Sequence, residues 1–240
     1  MASHSNQQEE QRVFVIRHGE RIDHVDYSWV GKSDRPYDPP LTEQGVREAK
    51  DAGCMLKERS TLELQTCLLS SLSSSNTLAW GPIYFQDIVI NTVISSPFLR
   101  CLQTAQHICD GLQLPGIMTC NGIVDVLTPS FGILQQPVVP ADNIAELGIK
   151  VLTFHQEPIP TFPEYFRDGM KRYSAEINKL ADEHWPKNIV IVTHMFCVTQ
   201  AIALTGDQVS FTDYCGYVEM SRSSKQKYDW KKVKTFGIEE

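Results

Sequence analysis

The chain has no long apolar run. Nothing in its 240 residues approaches the roughly 18 apolar residues that a membrane helix needs, so no membrane association is expected. The N-terminal stretch Met1 to Gln11 is polar and has no apolar core of an export signal. Together these absences point to a cytoplasmic or nuclear protein. None of the seven cysteines belongs to a Cys-x-x-Cys pair, and seven is an odd number, so neither a zinc ribbon nor a disulfide framework is indicated. Cys101, Cys109 and Cys197 fall in predicted helices and read as reduced core thiols. A basic excess is also missing: 22 basic against 29 acidic residues give a net charge of −7, which argues against nucleic-acid binding. The lysines at 225, 227, 231, 232 and 234 are diluted by Asp229, Glu239 and Glu240, as on a solvated edge segment. No His-Glu-x-x-His run and no aspartate cluster with metal-ligand spacing occurs.

What the chain does have is a set of buried strands that end in charged residues. The run Val13-Phe14-Val15-Ile16 delivers Arg17-His18-Gly19-Glu20-Arg21. An imidazole with an ordinary pKa near ~6.5 is partly unprotonated at neutral pH, so a ring nitrogen can attack phosphorus while guanidiniums hold anionic oxygens. Glycine lets the backbone turn closely past a bound anion. A second strand, from Asp87 to Ser96, leads into Pro97-Phe98-Leu99-Arg100; the pattern predicts Ser96 as N-cap, Pro97 in the first turn and Arg100 at the dipole end of a helix to about Leu112. A third, Asn188 to Thr193, ends in His194.

Arg-His-Gly-Glu after the first strand, Ser-Ser-Pro-x-x-Arg-Cys-x-x-Thr-Ala from Ser95 to Ala105, and Val-Thr-His at 192–194 follow one another over residues 13 to about 205. In this the chain resembles the histidine phosphatase superfamily, which includes phosphoglycerate mutases and many phosphatases. Arg21, the Asp38 to Gly45 segment and the 95–105 motif resemble most the branch that holds the phosphatase domain of the T-cell ubiquitin-ligand proteins and the insect ecdysteroid-phosphate phosphatase. Mutases usually carry Ser, then Asn and Trp, where this chain has Arg21-Ile22-Asp23.

The resemblance implies that His18 is the nucleophile and becomes phosphorylated. It implies too that Arg17, Arg21, Arg100 and a protonated His194 clamp the phosphoryl group. Such preorganised cations stabilise a charge-dispersed transition state without a metal or other cofactor. In that branch a glutamate followed by an aromatic residue supplies the general acid; here the matching stretch Asn121 to Leu127 carries Asp125 and then Val126. An aspartate serves as the acid where its surroundings favour the protonated form, and Glu20, beside the nucleophile, is its rival. The partners expected are a small phosphorylated substrate or phosphoprotein, with phosphate as product, for a monomer or dimer. Two alternatives stand: a phosphoglycerate mutase, and a scaffold protein that keeps the anion pocket but turns over little.

Strands alternate with helical patterns, which predicts an α/β fold. The resemblance makes it a three-layer α/β/α sandwich with a mostly parallel sheet, phosphoglycerate mutase-like, and a single domain over 12–240 behind a disordered tail, 1–11. A turn-rich loop over 19–41, carrying Trp29 and Tyr37, reads as functional. Thr42 caps a helix to about Arg59. The serine-rich stretch within 60–82 reads as a flexible insertion. Residues 113–163, with 7 prolines, read as a lid over the pocket; Phe131, Phe154 and Phe162 either contact substrate there or anchor the loop. Pro163 is expected to open a helix to about Trp185 with an inward stripe of Phe166, Met170, Tyr173, Ile177 and Leu180. His24, His107, His155 and His184 lack a strand-end setting, Thr104 reads as packing under the site, and Val209 to Phe236 as one or two last strands.

Overall fold

Four apolar residues in a row fill a strand that is buried on both faces. Val13, Phe14, Val15 and Ile16 are all at most 1% exposed, with Val13 and Val15 in one core cluster and Phe14 and Ile16 in the other. In the computed structural model, which describes residues 10–72, 88–137, 139, 142–154 and 158–239, this strand is β1 (Gln11–Arg17). It lies in a seven-stranded sheet with β2 (Ile90–Ser95), β3 (Ile117–Thr119), β4 (Val151–Thr153), β5 (Asn188–Thr193), β6 (Phe211–Arg222) and β7 (Lys231–Glu239), in the order β4-β3-β2-β5-β1-β6-β7. The first five are parallel to one another, and β6 pairs antiparallel with β1 on one side and with β7 on the other.

Helices cover both faces. After the short α1 (Trp29–Lys32), α2 (Glu43–Leu72) and α3 (Leu99–Leu112) pack on the Phe14 side through Ala49, Ala52, Leu56, Leu102 and Ile108. On the Val13 side lie α4 (Phe166–Glu183) and α5 (Met195–Leu204), through Tyr173, Ile177, Leu180, Val198 and Ala201. The result is the expected three-layer sandwich with a mostly parallel sheet. No helix among the described residues is long and apolar enough to cross a membrane.

Several local expectations need correction. Gln11, assigned to the tail, opens β1 and is buried, its side-chain amide donating to Ala181 O at 2.9 Å; residues 1–9 lie outside the described residues. The first part of the serine-rich insertion is helical, because α2 runs on to Leu72, and its remainder from 73 is not described. The proline-rich stretch 113–163 is not a lid alone: it contributes β3 and β4, three-residue strands too short to show a period. Ser96 is not the cap of α3. That helix starts at Leu99, whose N–H is accepted by Asp38 Oδ1 at 2.6 Å, a cap supplied from a distant loop. Thr42 does cap α2, its hydroxyl accepting the Gly45 N–H at 2.9 Å. In α4 the inward stripe is Tyr173, Ile177 and Leu180 with Met170 packed partly buried against the same cluster, whereas Phe166 is 45% exposed.

The turn after β1 is set against α2 by two glycines. A Cβ on Gly19 would stand 2.5 Å from Gly45 O, and one on Gly45 would collide with the Glu20 backbone. Gly45→Ala is therefore expected to destabilise the fold by roughly 1–3 kcal/mol in a urea titration. Gly31→Ala, where an added Cβ meets nothing within 4 Å, stays within about 0.5 kcal/mol; equal effects at the two sites would refute this packing account.

Candidate active site

In open parallel sheets ligands bind at the carboxyl ends of the strands, where the order of connection reverses. The order here reverses at β5, which returns to lie between β2 and β1. Register then fixes the neighbours: Arg17 pairs with Thr193 and Ser95 with Val192. His18 N–H continues the ladder to Thr193 O at 3.0 Å, and Ser96 N–H to Val192 O at 2.9 Å. His18, His194 and Ser96, one residue past three adjacent strands, consequently share one end of the sheet.

Arg100 reaches into that group from the first turn of α3. Its Nε donates to His18 Nε2 at 3.3 Å, and its Nη2 to His194 Nδ1 at 3.1 Å and Asp125 Oδ2 at 2.9 Å. His18 Nδ1 lies 2.8 Å from its acceptor, Gly19 O, so the ring proton is on Nδ1 and Nε2 is unprotonated, its lone pair accepting the long bond from Arg100. Gly19 N–H in turn donates to Thr104 Oγ1 at 3.1 Å, the underpinning role expected of Thr104. By the same logic His194 carries its proton on Nε2, 2.9 Å from Ser96 Oγ. The serine expected to cap a helix orients an imidazole instead.

Arg17 donates to Thr212 O, and its guanidinium carbon lies 4.2 Å from the Tyr214 ring centre and 5.5 Å from that of Phe211. Arg21 lines the same cleft, with Nε and Nη2 both engaged by the Asp23 carboxylate. Arg17 Nε and Arg100 Nη1 are buried and have no hydrogen-bond partner among the described residues. Buried donors left unpaired are costly, and an anion in the cleft would satisfy them.

Burial, then Arg100, hold His18 well below its ordinary pKa, with His194 and Arg17 adding to the effect. His194 is lowered for the same leading reasons, burial first and Arg100 next. Both imidazoles are thus held toward the neutral form by the protein's own groups. Asp125, 20% exposed, has Oδ2 3.4 Å from His194 Nδ1 and lines the cleft. Glu20 does not: its Oε1 accepts the Thr42 hydroxyl at 2.7 Å, on the α2 side.

The cleft, of about 430 Å³, is lined beyond these groups by Val30, Pro36, Tyr37, Ile133, Met195 and Phe196. The 19–41 loop therefore forms part of the wall, as expected, although Trp29 faces a neighbouring cleft. Of the three lid phenylalanines, Phe162 packs on the core and Phe154 is half exposed, and neither lines the cleft; the Phe131 side chain lies outside the described residues. His24, set aside in the sequence, lines the cleft and pairs with Tyr214. His107 and His184 are remote from it, and His155 is not described. Tyr214 was missed because it comes from β6, roughly 20 residues past the last motif. No group of three or more His, Cys, Asp or Glu among the described residues is arranged to hold a metal ion.

The family model of the histidine phosphatase superfamily, branch 1, matches residues 78–216. Human ubiquitin-associated and SH3 domain-containing protein A is 26% identical over 204 residues, 76% of this chain but 29% of that protein. Among solved structures, the ecdysone phosphate phosphatase of Bombix mori, in complex with tungstate, superposes with a TM-score of 0.61 at 19% identity, covering 93% of this chain and 92% of that one. Phosphoglycerate mutase from Bacillus anthracis does so at 0.55 and 14%, covering 96% and 94%. These likenesses show the shared fold.

An unfolded imidazole titrates near ~6.5, whereas the folded His18 and His194 resist protonation. As pH falls below about 6.5 the unfolded state takes up protons that the folded state does not, and stability drops. His24, His107 and His184 shift in the same direction. The diagnostic is therefore a difference: between pH 7 and 5, His194→Gln should flatten the fall in unfolding free energy by close to one proton's worth, about 1.4 kcal/mol per pH unit at most. An unchanged slope would mean that His194 is charged in the fold.

Proposed function

The chain belongs to the histidine phosphatase superfamily, branch 1, and from that premise we propose that it is a metal-independent phosphomonoester hydrolase working through a phosphohistidine on His18. The observation that carries this reading is the His18 ring: Nδ1–H is spent on Gly19 O at 2.8 Å while Nε2, unprotonated, faces Arg100 Nε at 3.3 Å. A neutral nucleophile is thereby held beside the cation that would neutralise its target.

In the first step the Nε2 lone pair attacks phosphorus, the P–O ester bond breaks, and its electron pair leaves on the substrate oxygen, which takes a proton from Asp125. Arg100, Arg17 and Arg21 balance the charge on the equatorial phosphoryl oxygens, and the unpaired Arg17 Nε and Arg100 Nη1 support that role. In the second step the Asp125 carboxylate accepts a proton from water as the water oxygen attacks phosphorus. The P–N bond breaks, its electrons return to Nε2, phosphate leaves, and Asp125 is protonated again. His194, oriented by Ser96, presents Nδ1 to this group as an uncharged partner.

Hydrolysis is favoured over mutase chemistry by the wall of the cleft. Its arginines among the described residues are Arg17, Arg21 and Arg100, the three assigned above to the phosphoryl group, which leaves Val30, Pro36, Tyr37, Ile133, Met195 and Phe196 to meet the rest of the substrate. A phosphoglycerate would need a cation there for its carboxylate; a phosphomonoester with an apolar body would not. Among the described residues five cysteines are buried and outside any disulfide, with thiol pKa values raised by burial, which fits a reducing compartment, the cytoplasm or nucleus.

Hydrolysis of p-nitrophenyl phosphate in excess chelator tests the reading. Turnover should persist in chelator and fall by at least about 10³-fold in His18→Ala. Because His18 stays neutral in acid, the acidic limb of kcat/KM should lie below about pH 6.5. Binding of vanadate without any turnover would favour the scaffold alternative, and activity that depends on added metal would refute the mechanism.

A further inference from the structure

Resting on the reading of Asp125 as proton donor, we propose that Arg172 is the positioning residue that aims the Asp125 carboxylate, with Glu164 locking Arg172 in place. Asp125 sits on irregular chain just after the short 3-10 turn Asn121–Ile123. A carboxylate on such a segment is held only as well as the backbone beneath it. That backbone is held carbonyl by carbonyl. Arg172 Nη1 donates to Gly122 O at 2.8 Å and to Val124 O at 3.1 Å, and Nη2 reaches Asp125 O at 3.5 Å. Thr193 Oγ1 donates to Ile123 O at 2.8 Å, and the Tyr173 hydroxyl to Val124 O at 2.8 Å. Four consecutive carbonyls, 122 to 125, are thus taken, three of them by one guanidinium.

The guanidinium is itself fixed. Glu164 accepts Nε on Oε1 at 2.7 Å and Nη2 on Oε2 at 2.6 Å, a bidentate pair whose side chains are only 16% and 9% exposed. Glu164 N–H donates to Leu127 O at 2.6 Å, which brackets the segment from its far end. At Gly169 the helix lies so close that an added Cβ would stand 2.7 Å from Val126 Cγ2. None of these groups lines the cleft, so Arg172 does not touch substrate; it acts through the Asp125 segment and, as a nearby charge that Arg172→Lys retains, adds to the lowering of the His194 pKa. A lysine would keep the charge but lose the fork that spans three carbonyls and a carboxylate.

Two substrates that differ in leaving group separate aim from stability. p-Nitrophenolate departs without a proton, whereas the alkoxide of phenethyl phosphate must be protonated, and kcat/KM reports the steps through its departure. A general acid supplies roughly 10²–10⁴-fold, so Asp125→Asn should lose far more with phenethyl phosphate than with the nitrophenyl ester. Arg172→Gln and Arg172→Lys should show the same skew at about tenfold, and Glu164→Gln a smaller one; adding Arg172→Gln to Asp125→Asn should add no further skew. Equal losses on both substrates in Arg172→Gln and Glu164→Gln, with Asp125→Asn still skewed, would overturn the inference and leave the acid reading standing. Equal losses in Asp125→Asn would remove that reading and the inference with it. If Arg172→Gln does not fold, Glu164→Gln, which keeps the arginine, decides the question.

Discussion

A guanidinium that is 2% exposed must find its partners inside the fold, and the position of Arg100 governs everything around the cleft. It reaches His18, His194 and Asp125 at once, at 3.3, 3.1 and 2.9 Å. Its charge holds both imidazoles toward the neutral form, second only to burial in each case. One buried cation thereby reinforces burial in keeping the nucleophile unprotonated, orients a second histidine and engages the carboxylate. Its own place depends on Asp38, which caps α3 at Leu99 and leaves Arg100 in the first turn. Asp38 is buried in turn and held by Arg35 at 2.6 Å, so the loop after β1 and the helix after β2 are coupled through that carboxylate.

The sheet supplies the other half of the constraint. Parallel pairing of β1, β5 and β2 in fixed register brings three chain reversals to one edge, and main-chain ladders extend one residue beyond the strands to hold His18 and Ser96. A slip of one residue would turn every apolar side chain of β1 to the opposite face, so core packing and the position of His18 are the same requirement. The Gly19–Gly45 contact and the Thr104 hydroxyl then fix the turn itself.

The parts legible in the sequence were those written locally. Apolar runs ending in Arg17-His18 and Thr193-His194 marked strands whose burial and pairing follow from their composition, and Arg100 followed from its distance past Ser96. The parts that were not legible depend on contacts made across the fold. Ser96 has the chemistry of an N-cap, but Asp38 occupies that place and Ser96 bonds His194 instead. β3 and β4 are three residues each and exist because β2 and β3 offer an edge to pair with, not because Ile117 or Val151 begins a pattern. The lowered pKa of His194 comes from the summed effect of burial and several arginines, which no spacing reveals. Tyr214 and His24 meet at the cleft from 190 residues apart. Asp125 was placed at the cleft by its motif, whereas the Arg172 fork that holds its backbone comes from a helix read only as core.

The account's central claim is that phosphorus is transferred to His18 Nε2 before it reaches water. Quenching the enzyme in alkali during turnover of a phosphomonoester, where a phosphoramidate survives, and mapping the adduct by mass spectrometry tests it directly. The account predicts one phosphoryl group, on the peptide that carries His18 and at the ring nitrogen facing Arg100. An enzyme that turns over without any such adduct, or that carries it on His194 or His24, would contradict it.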